Sequence, residues 1–155
     1  MTNLPLASRW SRFVAWLLDL SLNVCCFLPG FIAGVTGEGE HRTLFLAISL
    51  ACYLCLWTYQ AYLRATRGQT IGKRAVEIRI VSYGDGSNPG FWRAVWWRDL
   101  VPWIIDNLAA RIFGIVDAAF IFGRERRCVH DYIAGTIVVK EWYAREDSNP
   151  QPPGP

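Results

Sequence analysis

Four ionisable side chains interrupt apolar stretches of this 155-residue chain and have the chemistry of a cation or proton site. An ionised Asp near the middle of a bilayer costs about 2.5–3.5 kcal/mol, so it needs to face the protein interior and a partner. The pattern predicts an ion or proton site among Asp19, Asp117, Arg12 and Asp106. The alternative for each acid is a structural ion pair or a protonated, hydrogen-bonded carboxyl group.

Asp19 is the most informative of these residues. Arg12 lies seven residues earlier, on the same face of a helix but about 10 Å away along the axis. Helical side chains lean toward the N-terminus, so Arg12 leans away from Asp19 and a direct bond within the helix is not expected. We expect the partner of Asp19 on another helix, with Arg93, Arg98 and Arg111 as candidates.

A compact polar cluster precedes the last predicted strand. Residues near this strand and residues of the basic turn after the second apolar stretch are expected to form the cluster together. Its members are His130, Asp131, Arg126, Arg127, Lys73 and Arg74. Asp131 is interpreted as a cap for local backbone or as a partner of the basic loop 64–79, which would lock the two segments together. A proton relay through His130 is the alternative. Cys128 and His130 alone supply too few ligands for zinc, so no metal site is predicted.

The segment GQTIGKR (68–74) invites comparison with a phosphate loop but lacks its pattern. Three residues rather than four separate the glycines, and Arg74 stands where Ser or Thr would bind magnesium. We interpret it as a basic turn that meets anionic lipid headgroups. No nucleotide or cofactor is predicted. A formal charge of +3 is too small to indicate nucleic-acid binding. The two His lie outside any hydrolase pattern, so no enzyme is predicted either.

Long apolar segments position these groups. Only 19% of the residues are charged, too few to cover a soluble globular surface, which usually needs about a quarter. Residues 44–63 carry no charge over twenty positions, enough to cross ~30 Å of hydrocarbon. The sequence predicts two transmembrane helices, at 10–33 and 43–64, and a helical hairpin with arms at 91–105 and 108–122. An amphipathic surface helix followed by a single span is the alternative for 91–122.

Two short segments have the character of β-strands. Residues 75–81 alternate between apolar and charged, and residues 135–140 are rich in β-branched side chains. Pairing the two strands requires an even number of crossings between them, which favours the hairpin. Basic residues lie at the N-terminal end of the first span and in the loop 65–90, whereas the connection 34–42 has a net charge of −1. The N-terminus, the C-terminus and this β-ribbon are therefore expected in the cytoplasm. The predicted fold is an all-α polytopic helical bundle of the cell membrane with a short two-stranded cytoplasmic β-ribbon.

Three ordered motifs resemble those of the RDD family of small integral membrane proteins: RFVAWLLD (12–19), GQTIGKRAVEIRIV (68–81) and RRCVHDYIAGTIVV (126–139). The resemblance implies a membrane domain over residues 1–140, followed by a disordered Pro-rich tail at 141–155. Arg12 and Asp19 match the first two residues for which the family is named. The second Asp could be Asp131 or Asp117.

Two functions are compatible with these features. A minority of the family has been linked to ion transport, including sodium/proton exchange, so the resemblance and the intramembrane acids point to cation or proton transport. The alternative is a non-transporting accessory or scaffold protein that packs against itself or a larger membrane protein. In the second span, Ala47, Ala51 and Cys55 recur at every fourth position and are interpreted as a helix contact seam.

Overall fold

The computed structural model describes residues 5–36, 40–108, 116–117, 120, 123 and 127–141. Two long helices come first, α1 at Arg9–Thr36 and α2 at Glu40–Arg67. A short helix, α3 at Ile71–Ala75, leads into strand β1 at Ile78–Ser82. The next helical stretch, the third helical region, is a π-helical segment at Trp92–Leu100 that continues into α4 at Val101–Leu108. The last elements are α5 at Val129–Ile133 and β2 at Thr136–Lys140.

The two long helices have the length and composition of membrane spans. Each has 28 residues, or about 42 Å of helix, which exceeds the ~30 Å hydrocarbon layer. In their most apolar stretches only 11% and 17% of the residues are buried. A core helix of a soluble protein would bury most of such a stretch. Large apolar side chains such as Phe31 (69% exposed) and Leu50 (57% exposed) instead face outward, as they do toward lipid.

Small residues bring α1 and α2 together. Gly30 of α1 donates its backbone N–H to Ser49 Oγ of α2 at 2.7 Å. A Cβ added to Gly30 would lie 2.8 Å from that oxygen, so a larger residue would push the helices apart. The seam predicted on α2 does not face α1, because Ala47, Ala51 and Cys55 are exposed. The helix instead turns Ser49 toward α1, since its polar hydroxyl finds a donor there.

β1 and β2 pair antiparallel, from Ile78 opposite Lys140 to Ser82 opposite Thr136. The predicted two-stranded ribbon is therefore confirmed. Its first strand begins three residues later than expected, because Ala75 still belongs to α3 and Glu77 adopts φ +54°, which interrupts an extended chain.

The N-terminal segment extends this ribbon on its other side. Ala7 donates its backbone N–H to the carbonyl oxygen of Val138 at 3.0 Å, and Leu6 bridges Val139. Ile78, Ile80 and Val138 are at most 1% exposed and pack with Ala7 and with Ala15 of α1. The main buried core therefore lies between the ribbon and the first turns of α1.

The third helical region runs without interruption from Trp92 to Leu108 and agrees with the first predicted arm, 91–105. The second predicted arm, 108–122, lies outside the described residues except at Leu108, Val116, Asp117 and Phe120. The number of crossings in this region stays a prediction. The predicted tail lies outside the described residues apart from Glu141.

Candidate functional site

Arg12 reaches from the first turns of α1 into the ribbon. The helix start is fixed by Ser8, whose Oγ accepts the backbone N–H of Ser11 at 2.9 Å. Arg12 Nη1 donates to Asp131 Oδ2 at 3.2 Å, and its Nη2 donates to the carbonyl oxygen of Val138 at 3.2 Å. One guanidinium group thus joins the first helix to both α5 and β2.

Asp131 is the centre of this arrangement and is completely buried. Its second carboxylate oxygen pairs with Arg98 of the π-helical segment, so one anion lies between two guanidinium groups. Burial alone would raise the pKa of Asp131, but Arg98, His130 and Arg12 favour the carboxylate and hold the pKa below its ordinary value. We name Arg12, Arg98 and Asp131 the charged triad. It connects α1, the π-helical segment and α5.

Local backbone bonds hold Asp131 in position. Asp131 Oδ2 accepts the N–H of Cys128 at 3.3 Å and thereby caps the start of α5. Arg127 donates from Nη2 to the carbonyl oxygen of Asp131 at 3.2 Å, and its guanidinium lies 4.2 Å from the ring centre of Tyr83 and 4.0 Å from that of Tyr132. Stacking between two rings keeps this buried cation stable and orients the carbonyl that it contacts.

Asp19 has a separate set of partners. Its Oδ2 accepts the hydroxyl of Thr70 at 2.6 Å, and its Oδ1 accepts the backbone N–H of Gly72 at 2.9 Å. Thr70 is also the N-cap of α3, where its Oγ1 accepts the N–H of Lys73 at 3.1 Å. Among the described residues, Asp19 therefore ties α1 to α3 through neutral donors rather than through Arg93 or Arg98. The third candidate, Arg111, lies outside the described residues.

Gly72 makes this approach possible. A Cβ at this position would lie 2.1 Å from the carbonyl oxygen of Ala15 and 2.9 Å from the carboxyl carbon of Asp19. No side chain fits at that distance without moving the backbone. The second glycine of GQTIGKR is thus a packing residue between α3 and α1.

His130 links two acids at the start of α5. Its Nδ1 lies 2.6 Å from Asp117 Oδ2, and its backbone N–H donates to Asp117 Oδ1 at 2.8 Å. Its Nε2 lies 3.6 Å from Asp131 Oδ1. The three groups form a continuous polar chain from Asp117 to the charged triad.

The same corner contains a set of possible metal ligands. One ligand atom from each of Asp117, Cys128 and His130 lies within 4.8 Å of the others. Three such donors could hold a divalent ion such as zinc with a water as fourth ligand. Burial, together with the charges of Asp131 and Asp117, raises the pKa of Cys128 to about 12, so a metal would have to displace its proton.

The remaining predicted residues lie elsewhere. Asp106 is in α4, away from the charged triad. Lys73 is half-buried in α3, where desolvation and the charges of Arg98 and Arg64 lower its pKa to about 7. Arg74 is exposed next to it. Arg126 lies outside the described residues. The predicted polar cluster thus divides into a buried group around Asp131 and a separate basic turn.

Sequence reasoning missed the principal role of Arg98, which was one of three candidates for the partner of Asp19. Arg98 also donates from Nη1 to Thr136 Oγ1 at 2.8 Å. The available signal was the position of Arg98 in a stretch otherwise rich in Trp, where a cation requires a buried acceptor. Asp131 and Asp19 were equally suitable acceptors by residue type, so only the fold distinguishes them.

Comparison with known proteins agrees with the three motifs. A model of the RDD family matches residues 6–135. The uncharacterized membrane protein YteJ of Bacillus subtilis (strain 168) is 30% identical over 139 residues, which cover 87% of this chain and 81% of the relative. No solved structure matches the chain. The family match covers both the α1 end and the α5 end of the charged triad, and the chain belongs to the RDD family.

Proposed function

We propose that this chain is an accessory protein of the cytoplasmic membrane, which packs against a larger membrane protein. In this proposal the chain is multi-pass, and the β-ribbon and both termini are in the cytoplasm, where the basic ends of α1 and α2 meet anionic lipid. The proposal assigns it no catalysed reaction. Its function is to present a lipid-embedded helix surface that is held rigidly by the ribbon.

The contacts of the acidic residues support a structural function. Asp19 accepts bonds from Thr70 and Gly72, and Asp131 is enclosed by two guanidinium groups. A carboxylate that exchanges a cation must release its partners in each cycle, whereas these bonds join α1 to α3 and to the ribbon. The contacts of these acids therefore suit a structural role, in which they hold the helix ends in place, better than a role in which they bind and release an ion.

The observation that carries the proposal is the exposed seam on α2. Ala47, Ala51 and Cys55 form a stripe of small residues one turn apart, and α1 packs on a different face through Ser49. In lipid, helices associate through small residues that allow close backbone approach. A helix of a partner protein would fit this stripe, with a second copy of the chain as the competing occupant.

Site-specific photocrosslinking in native membranes tests this surface. A photoreactive residue at Ala51 is expected to give a discrete adduct with a different membrane protein. The matched control is Leu50, which is also exposed but lies about 100° around the helix. Equal labelling at both positions, or lipid adducts alone at Ala51, would contradict the proposal. An adduct of twice the chain mass would assign the seam to self-association.

Cation or proton transport is the second candidate, and the polar chain from Asp117 through His130 to Asp131 favours it. His has an ordinary pKa near neutrality and could pass a proton between two carboxylates. Such a relay would act at the ribbon end of the helices. A chain of this size encloses little space between its helices, so transport would require an oligomer.

Proteoliposomes distinguish the two candidates. We expect no flux of sodium, potassium or protons above that of empty liposomes. Flux that Asp19→Asn abolishes, with the helical content of the protein unchanged, would exclude the accessory proposal. Asp117→Asn provides the matched test of the polar chain, because it removes one end of the relay and leaves Asp131 in place.

A further inference from the structure

An open cleft of about 510 Å³ lies beside the ribbon, where α2, α3 and β1 meet. Each element contributes one arginine: Arg67 ends α2, Arg74 lies in α3 and Arg79 lies in β1. Glu77 and Glu141 also border the cleft. These groups are distinct from the charged triad and from the bonds of Asp19.

The three arginines have no ion pair with a described residue. Within the described residues, no carboxylate lies within ion-pair distance of Arg67, Arg74 or Arg79. Arg79 Nε is buried and has no hydrogen-bond partner in that part of the chain. A buried guanidinium N–H without an acceptor is unfavourable, so the cleft is suited to an acceptor from outside the chain.

The wall of the cleft is rigid. Gln69 is buried and donates from Nε2 to the carbonyl oxygen of Ile78 at 3.1 Å. Gly68 has φ +65°, and a Cβ there would lie 2.3 Å from the carbonyl oxygen of Ile80. This close corner packs the end of α2 against β1, so Arg67 and Arg79 line the cleft from elements that are in direct backbone contact.

We propose that this cleft binds a phosphate group, presented by a membrane lipid or by a small soluble molecule. Guanidinium groups match phosphate oxygens through paired N–H donors, and three of them surround one concave site. α2 is longer than the hydrocarbon layer, so its last residue reaches the depth of lipid phosphates. Three cations and two acids leave the cleft with one net positive charge, which suits a singly charged phosphodiester. This proposal does not depend on the accessory function.

Binding of two probes to the full-length protein in detergent tests the site. The probes are dioctanoyl phosphatidylglycerol below its micelle concentration and inorganic phosphate. Arg79→Gln and Arg74→Gln are each expected to weaken binding at least about tenfold, because one charge-assisted contact is lost. Arg79→Lys keeps the charge but loses the planar fork and is expected to weaken binding as well.

Arg42→Gln is the matched control, because it removes the same charge at the opposite end of α2 and is expected to change binding less than about twofold. Binding of the lipid alone identifies a headgroup as the source, and binding of inorganic phosphate identifies a soluble ligand. Absence of binding by both probes would overturn the proposal. Equal weakening by Arg42→Gln and Arg74→Gln would also overturn it, since general charge attraction would then explain the binding. Arg74 is exposed, so its variant tests the site even where Arg79→Gln fails to fold.

Discussion

Replacing Asp131 with Asn tests the charged triad most directly. The substitution keeps the shape of the side chain but removes the only charge between Arg12 and Arg98, whose side chains are 8% and 5% exposed. Two buried cations would then face each other without a counterion. Breaking a buried ion pair in this way typically costs about 3–5 kcal/mol.

The structure places the expected loss at the lower end of that range. Arg12 keeps the carbonyl oxygen of Val138 as an acceptor, and Arg98 keeps the hydroxyl of Thr136. We therefore expect Asp131→Asn to lower the free energy of unfolding by about 3 kcal/mol. The measurement is equilibrium unfolding in mixed micelles with increasing SDS, followed by far-UV circular dichroism.

Two further variants show whether the loss arises from the triad. Asp85→Asn, in an exposed turn, is the control and is expected to leave the unfolding midpoint unchanged. Arg12→Gln combined with Asp131→Asn is expected to cost clearly less than the sum of the two single changes, because they share one contact. A loss below about 1 kcal/mol for Asp131→Asn, or strict additivity in the double variant, would refute the argument that this anion holds the helices together.

Three other predictions concern the packing of the helices and one titrating lysine. Gly72→Ala is expected to detach α3 from α1, because the new Cβ would lie 2.1 Å from the carbonyl oxygen of Ala15. The measurement is hydrogen exchange, which should become faster in residues 68–76. Gly84→Ala is the control, because a Cβ at Gly84 would meet open space. Ser49→Ala removes the bond across α1 and α2 and should cost about 0.5–1.5 kcal/mol in the same SDS titration. The pKa of Lys73 is lowered from 10.5 to about 7, so the unfolded chain binds more protons between these values and stability should rise with pH from 7 to 9. Lys73→Gln should remove that rise, and an unchanged pH profile would contradict the assignment.

The sequence predicted the helices and strands better than their exact bounds and the contacts between them. The uncharged run 44–63 and the β-branched run near the end of the chain indicated α2 and β2 because apolar length and strand character are local properties. The start of β1 was misplaced, since alternation in 75–77 does not reveal the positive φ of Glu77. The partner of the seam on α2 was not predicted, because small residues suit a helix contact without specifying whether the contact lies within the chain.

The candidate site was recognised by residue type but not by pairing. Arg12 and Asp131 were both singled out, yet their contact joins residues 119 positions apart. Arg127 stacks between Tyr83 and Tyr132, and nothing in the local sequence around Tyr83 indicates that role. Periodicity constrains which side chains share one helix face, whereas partners on different elements depend on the chain path between them.

The distance along the chain between Arg12 and Asp131 has a consequence for biogenesis. Arg12 is synthesised with the first helix, but the anion that neutralises it is synthesised 119 residues later. At translation rates of about 5–20 residues per second, the nascent protein retains an uncompensated guanidinium for several seconds. The first helix therefore acquires this anchor only after α5 has been synthesised, and a product truncated before position 131 would lack the anion that neutralises Arg12.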